Sequence, residues 1–289
     1  MQKTFRTGLL LLCGLFSALV CACQDSSPVT NSTDSEASKN GAEAPLPDAA
    51  AMVKKLITQD GCKDFVAEMR MISEADGKRE QVDVRLQRKY SDAGASTFMT
   101  VLAPKEDSDK AILAIESHDK PTEAFSYLAG LKKLAKLNSS RPLGFRGAKV
   151  TVQELLGMEL GHYSHTASER VTVDGQQLIK IVFTARKDFD LAFPRIVGFF
   201  REKDQAPARF ELFGENDELS KKLIVEEVKT IQNRQTITQV AIEDEAQKLK
   251  LRMETKKIEY DKGLPDKIFT EQHLKGFITE ASAKRNSAN

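Results

Sequence analysis

The chain has 289 residues, 40% of them apolar, with 15 Phe, 4 Tyr and no Trp. That is the profile of a soluble globular protein and excludes a polytopic membrane protein. With 43 basic against 42 acidic residues the formal charge is +1, too small for a general nucleic-acid binder, whose cations must replace condensed counterions.

The first six residues are cationic through Lys3 and Arg6, and residues 9–20 form an uncharged apolar run. This is the n-region and h-region pattern of a secretory signal, and it is shorter than the roughly 20 apolar residues a spanning helix needs. Val20-Cys21-Ala22-Cys23 follows. It resembles a bacterial lipobox, with an aliphatic residue at −3, a small one at −1 and then the cysteine whose sulfur accepts the diacylglyceryl group. The expectation is a lipoprotein signal peptide at 1–22 and lipid attachment at Cys23. A secreted protein cut near this point is the alternative, and Cys21 is the weaker acylation candidate because branched Val20 would precede it. Removing Lys3 and Arg6 turns the formal charge from +1 to −1.

Residues 24–46 are rich in Ser, Asn, Asp and Pro and lack hydrophobic periodicity, the composition of a tether that cannot bury enough surface to fold. Flexible-chain scaling gives it a reach of roughly 25 Å. Three acyl chains would hold such a protein on a membrane almost permanently. Gln24 stands where an Asp would signal inner-membrane retention in enterobacterial sorting, which favours the outer membrane facing the periplasm. Only Cys62 remains in the rest of the chain, so no internal disulfide is expected, and a quiet, partly buried thiol is the blander reading of it.

Residues 47–289 read as a single domain. It opens with a predicted helix at 48–60, capped by Asp48, with Met52, Val53, Leu56 and Ile57 at helical spacing and Gly61 at its end. The period then changes to two, as in Val82, Val84 and Leu86, and again in Leu249, Leu251 and Met253. Similar strands are predicted at 65–73, 96–102, 110–116, 124–131, 176–184, 195–203, 208–213, 219–228 and 235–243, punctuated by turn signals such as Asp174-Gly175. Short connections imply an antiparallel meander. Residues 150–165 break the pattern and read as helical, and 270–277 as a last short helix.

No Gly-x-Ser-x-Gly elbow, His-Glu-x-x-His, phosphate-binding glycine loop or Cys-x-x-Cys pair is present. Nothing nominates a catalytic residue, a metal site or a cofactor, so a non-enzyme is expected. His162 and His165 stand three apart and could share a helical face, but no third ligand is near them in sequence.

The segments EMRM (68–71), ADGKRE (75–80), STFM (96–99), LAPK (102–105), YLAGLKKL (127–134) and IFTEQHL (268–274) resemble, in order and spacing, the bacterial outer membrane lipoprotein-sorting protein family. Phe125, Ala129, Ala135 and Lys136 depart from its usual residues. The family is similar in fold to LolA, the periplasmic lipoprotein chaperone, and LolB, the outer membrane receptor. The resemblance implies a mainly β fold with a few helices, an incomplete antiparallel β-barrel whose concave apolar face is covered by helices. It further implies a non-catalytic carrier or receptor for lipids or the acyl chains of lipoproteins. A sensor or scaffold of the same fold that binds an envelope protein partner, in the manner of anti-sigma regulators or a transporter accessory, is the alternative.

Candidate lining residues are the large apolar side chains on predicted strands, Phe98, Phe125, Tyr127, Phe183, Phe199 and Phe210, with ordinary core packing as the competing role. Lys132, Lys133 and Lys136, continuing to Arg141, Arg146 and Lys149, form the densest basic stretch. They are candidates for lipid phosphates or an acidic partner, or simply a solvated face.

Overall fold

The computed structural model describes residues 45–75, 77–142 and 150–287, with the side chains of Ala129 and Asn286 left aside. The predicted leader, Cys23, the tether up to residue 44, and Arg146 and Lys149 lie outside the described residues.

Helix α1 (Ala49–Ile57) starts where Asp48 accepts from the amides of Ala50 and Ala51 at 3.3 and 3.2 Å, satisfying donors that a helix start leaves open. Ala49, Met52 and Val53 form its buried face, and Lys54 and Lys55 sit in the last turn, where cations suit the helix dipole. Strands then follow: β1 (Asp64–Ala75), β2 (Lys78–Ser91), β3 (Gly94–Ala103), β4 (Ala111–Ser117), β5 (Glu123–Leu128) and β6 (Lys133–Leu137). A second series comprises β7 (Tyr163–His165), β8 (Glu169–Val173), β9 (Gln176–Ala185), β10 (Arg195–Arg201), β11 (Pro207–Phe213), β12 (Leu219–Ile231), β13 (Arg234–Asp244) and β14 (Leu249–Tyr260).

All of these strands belong to one antiparallel sheet ordered β6-β5-β4-β3-β2-β1-β14-β13-β12-β11-β10-β9-β7, with β8 also on β9. Two meanders are therefore joined by the β1–β14 pair, in register from Phe65↔Tyr260 to Glu74↔Lys250. The sheet is not closed, since β6 and β7 end it and are not paired. It curls through bulges at Glu68/Met69, Asp83/Val84 and Phe199/Phe200, because an extra residue in one strand bends the ladder and sharpens its twist. Gly94 allows β3 to start against the end of β4, where a Cβ would meet the Glu116 carbonyl oxygen at 2.1 Å.

The concave face carries the largest apolar cluster, including Phe65, Val84, Leu86, Ile181, Phe200 and Ile242. A second cluster lies on the opposite face of the β3–β5 region, where helix α3 (Glu271–Ser287) covers Phe98, Leu113 and Tyr127 with Leu274 and Ile278. Phe98 meets Phe277 edge-on at 5.7 Å, and Arg285 reaches Asp109 at 2.7 Å to tie down the helix end. The described residues belong to one compact unit, Pro45–Asn289. Every pairing and apolar cluster given above lies inside it, so this unit carries its own core.

The predicted helix at 150–165 is largely replaced by other structure. One helical turn, α2 (Val152–Leu155), is held by a capping box between Thr151 and Glu154. Gly157, Met158 and Glu159 then take φ of 86°, 65° and 50°, left-handed values that no right-handed helix contains. A 3-10 turn at Leu160–His162 leads into β7. The last helix runs well beyond 277, and the predicted strand at 124–131 is β5 followed by a 3-10 turn at Ala129–Leu131, with β6 a further strand beyond it.

Candidate functional site

Alternation along the strands sends every second side chain into the concave side. Phe65, Ala67 and Met69 from β1 face Leu86 of β2 on one flank and Met253 and Ile258 of β14 on the other. Phe210, Leu223 and Val240 continue the wall across β11 to β13. They do not fill the curve, and a cavity of about 310 Å3 remains. Leu56 and Ile57 at the end of α1 and the segment from Glu154 to His162 lie over it. That volume sits at the low end of the roughly 300–1,000 Å3 typical of small-molecule sites, sized for a slender ligand.

One end of this apolar space is charged. Arg88 donates to Thr97 Oγ1 at 2.8 Å and holds Glu116 through both carboxylate oxygens, at 2.5 and 2.8 Å. Both side chains are about nine-tenths buried. Burial raises the Glu116 pKa and Arg88 pulls it back, with a net direction upward. Behind the lid segment, Lys221 meets Glu154 at 2.7 Å, with both side chains buried. Each of these charges is neutralised in place, as a buried ion requires.

Glu159 and His162 differ. Their side chains are 2% and 5% exposed, and Glu159 Oε2 lies 3.4 Å from His162 Nδ1. Neither Glu159 oxygen nor Nδ1 makes a hydrogen bond. His162 Nε2 is 2.5 Å from the Ser117 carbonyl oxygen, a pure acceptor, so the proton of the neutral ring belongs on Nε2. The ring stacks on Phe189 at 4.1 Å. Burial lowers the His162 pKa, but Glu159 at one nitrogen and Ser117 at the other outweigh it, and the net shift is upward from 6.5. Arg186 donates to the carbonyl oxygens of His118 and Gly161 at 2.8 and 3.2 Å, so lid segment and strand end are tied together twice.

The six aromatic residues singled out from the sequence do not assemble around this cavity. Phe210 lies on its wall. Phe183 packs behind it, fully buried, where the absence of a side chain at Gly198 admits Phe183, Phe200 and Phe210 together, each within 3.1 Å of where a Cβ would stand. Phe98, Phe125 and Tyr127 belong to the opposite face under α3. Phe199 also faces away from the cavity, in a cluster with Leu178 and Val197 and with Arg209 stacked on its ring at 4.8 Å. Lys132, Lys133 and Lys136 are exposed on the turn and edge strand β6, and Lys136 pairs with Glu123 at 2.7 Å. Edge lysines also discourage strand-to-strand association.

His165 is exposed and apart from the buried His162, and no group of three or more metal-ligating side chains occurs among the described residues. Cys62 is buried, and burial first and Asp261 second push its thiol up to about 11, far from a reactive thiolate.

A many-stranded antiparallel sheet curled without closing, with helical segments over its concave face, is a LolA-like open barrel in fold. A DUF1329 family protein from Desulfovibrio piger matches with a TM-score of 0.70 at 18% identity, over 78% of this chain and 96% of that one. A putative outer membrane lipoprotein-sorting protein domain from Vibrio parahaemolyticus gives 0.69 at 17% identity, over 78% and 97%. A LolA superfamily protein from Nitrosomonas europaea gives 0.65 at 15%, over 79% and 100%. The chain belongs to the protein family whose model, described as "Uncharacterized protein", matches residues 94–276. No curated protein matches. Among the described residues no helix is long and apolar enough to cross a membrane.

Proposed function

We propose that this protein is a lipid-anchored, non-catalytic carrier or receptor of the bacterial envelope, and that it takes an acyl chain of a lipid or lipoprotein into its concave cavity. The observation that carries this reading is the cavity itself. Its wall includes Phe65, Ala67, Met69, Leu86, Val240 and Met253, and the end of α1 and the 154–162 segment lie over it. Burial of each methylene there contributes about 0.8 kcal/mol, so a chain alone supplies useful affinity without any covalent step. The fold shared with lipoprotein-sorting domains supports the same reading, and an acylated Cys23 would hold the domain near the bilayer.

Because the chain has no Trp, a single introduced indole reports locally. Met253→Trp, on the cavity wall, is expected to shift its emission when a fatty acid or lipopeptide is added, while Phe125→Trp under α3 stays unchanged. A response confined to residue 125 would put the ligand elsewhere. Cys23→Ala is expected to abolish acylation and release the chain from membranes in fractionation, and persistent anchoring would refute the assigned lipid site.

A further inference from the structure

Three acidic side chains, Glu116, Glu154 and Glu159, line the cavity, and two of them are satisfied. Arg88 grips Glu116 bidentately and Lys221 meets Glu154. Glu159 is left over. Both of its oxygens are buried and accept no hydrogen bond; His162 Nδ1, 3.4 Å from Oε2, pairs with it when the ring is protonated and is itself an unengaged acceptor when the ring is neutral. Acceptors that face one another in a buried place are expensive unless a donor arrives between or beside them. The position is held from outside: Ser117 and Phe189 fix the imidazole, and the run of left-handed residues at 157–159 turns Glu159 to the cavity wall. Among the described residues no side chain donates a hydrogen bond to Glu159.

Resting on the acyl-cavity reading, we propose that the Glu159 end of the cavity receives the polar head of the amphiphile and that Glu159 selects heads carrying an N–H donor, an amide or a primary ammonium, over heads that offer only acceptors. A carboxylate head would set oxygen against the Glu159 oxygens. A quaternary ammonium would supply charge without the hydrogen bond and would have to seat its methyl groups against a polar wall.

The test titrates the compact unit Pro45–Asn289 calorimetrically at pH 8, below micelle formation, with three amphiphiles of one chain length: dodecylamine, dodecyltrimethylammonium and dodecanoate. Dodecylamine is expected to bind tighter than either of the others by about tenfold or more, the worth of a hydrogen bond to a charged group. In Glu159→Gln this advantage should shrink several-fold while dodecanoate uptake persists, which shows the cavity intact. The ranking in the unaltered protein is decisive even where the variant folds poorly. Equal binding of dodecylamine and dodecyltrimethylammonium would replace the N–H preference by simple charge and overturn the proposal. Equal or tighter binding of dodecanoate would overturn it while leaving the acyl cavity standing. Failure of all three probes to bind would remove the acyl-cavity reading and this inference with it.

Discussion

At the scale of single residues, the buried imidazole of His162 gives the lid a pH dependence whose sign can be worked out. Its pKa in the folded chain lies above 6.5, so the folded state retains the proton to higher pH than the unfolded one. The stabilisation this contributes is complete below pH 6.5 and is lost as pH rises through the folded value. Thermal unfolding of the natural chain and of His162→Gln should therefore differ most at pH 5.5 to 6, with the difference shrinking towards pH 8. A difference that grows with pH would reverse the assignment of the group's protonation. Little of this was legible beforehand. His162 and His165 are three apart in sequence, but the left-handed residues before them end the helix that would have put them on one face, leaving one ring buried and the other in solvent. Glu159 carried no signal at all, because a lone acid before a Leu-Gly pair reads as surface. The Asp48 cap was legible because its cause is local, a side chain bonding to amides two and three residues on.

At the scale of elements, period-two alternation identified strands but could not say which face is concave. Strand β3 shows why: Met99 and Val101 face the cavity side, Phe98 faces α3, and all three are buried. A strand covered on both sides has no polar face to orient it. Large aromatic residues were thus sound markers of burial and poor markers of the cavity, which the structure lines more with Ala67, Met69, Leu86 and Met253 than with phenyl rings. The role of α3 follows from the same geometry. It is part of the core on the far side of the sheet, so Leu274→Ala, at a side chain with no exposure, should cost about 2–5 kcal/mol of stability in denaturant titration. Ligand uptake per folded molecule should stay unchanged. A variant that keeps its stability but loses uptake would transfer α3 from scaffold to binding site. The helix expected at 150–165 failed for a reason local to Gly157, whose positive φ begins a run that Met158 and Glu159 continue. Strained non-glycine backbone of this kind persists only where surrounding contacts enforce it, here the Ser117, Phe189 and Arg186 contacts of the lid.

At the scale of the whole molecule, the turn signals were enough to foresee an antiparallel meander, since short connections forbid parallel neighbours. The pairing of β1 with β14, about 190 residues apart in the chain, has no local signature. It is what turns two meanders into a single curled sheet and creates a concave side to be lined and covered. The resemblance over about residues 65–277 implied an incomplete antiparallel barrel without naming this pairing, and the fold shared with lipoprotein-sorting and LolA superfamily structures agrees with that barrel. The cavity is therefore a property of the assembled sheet, and its occupant is the most direct question to ask of it. Native mass spectrometry of the Pro45–Asn289 unit, purified from a lipid-containing host, answers it. The expected result is one acyl-bearing ligand per chain, released and identified on denaturation, with the emptied protein taking up an offered fatty acid or lipopeptide at the same stoichiometry. A chain that is empty as purified and remains empty when fatty acids, lysophospholipids and lipopeptides are offered would contradict an acyl-binding function.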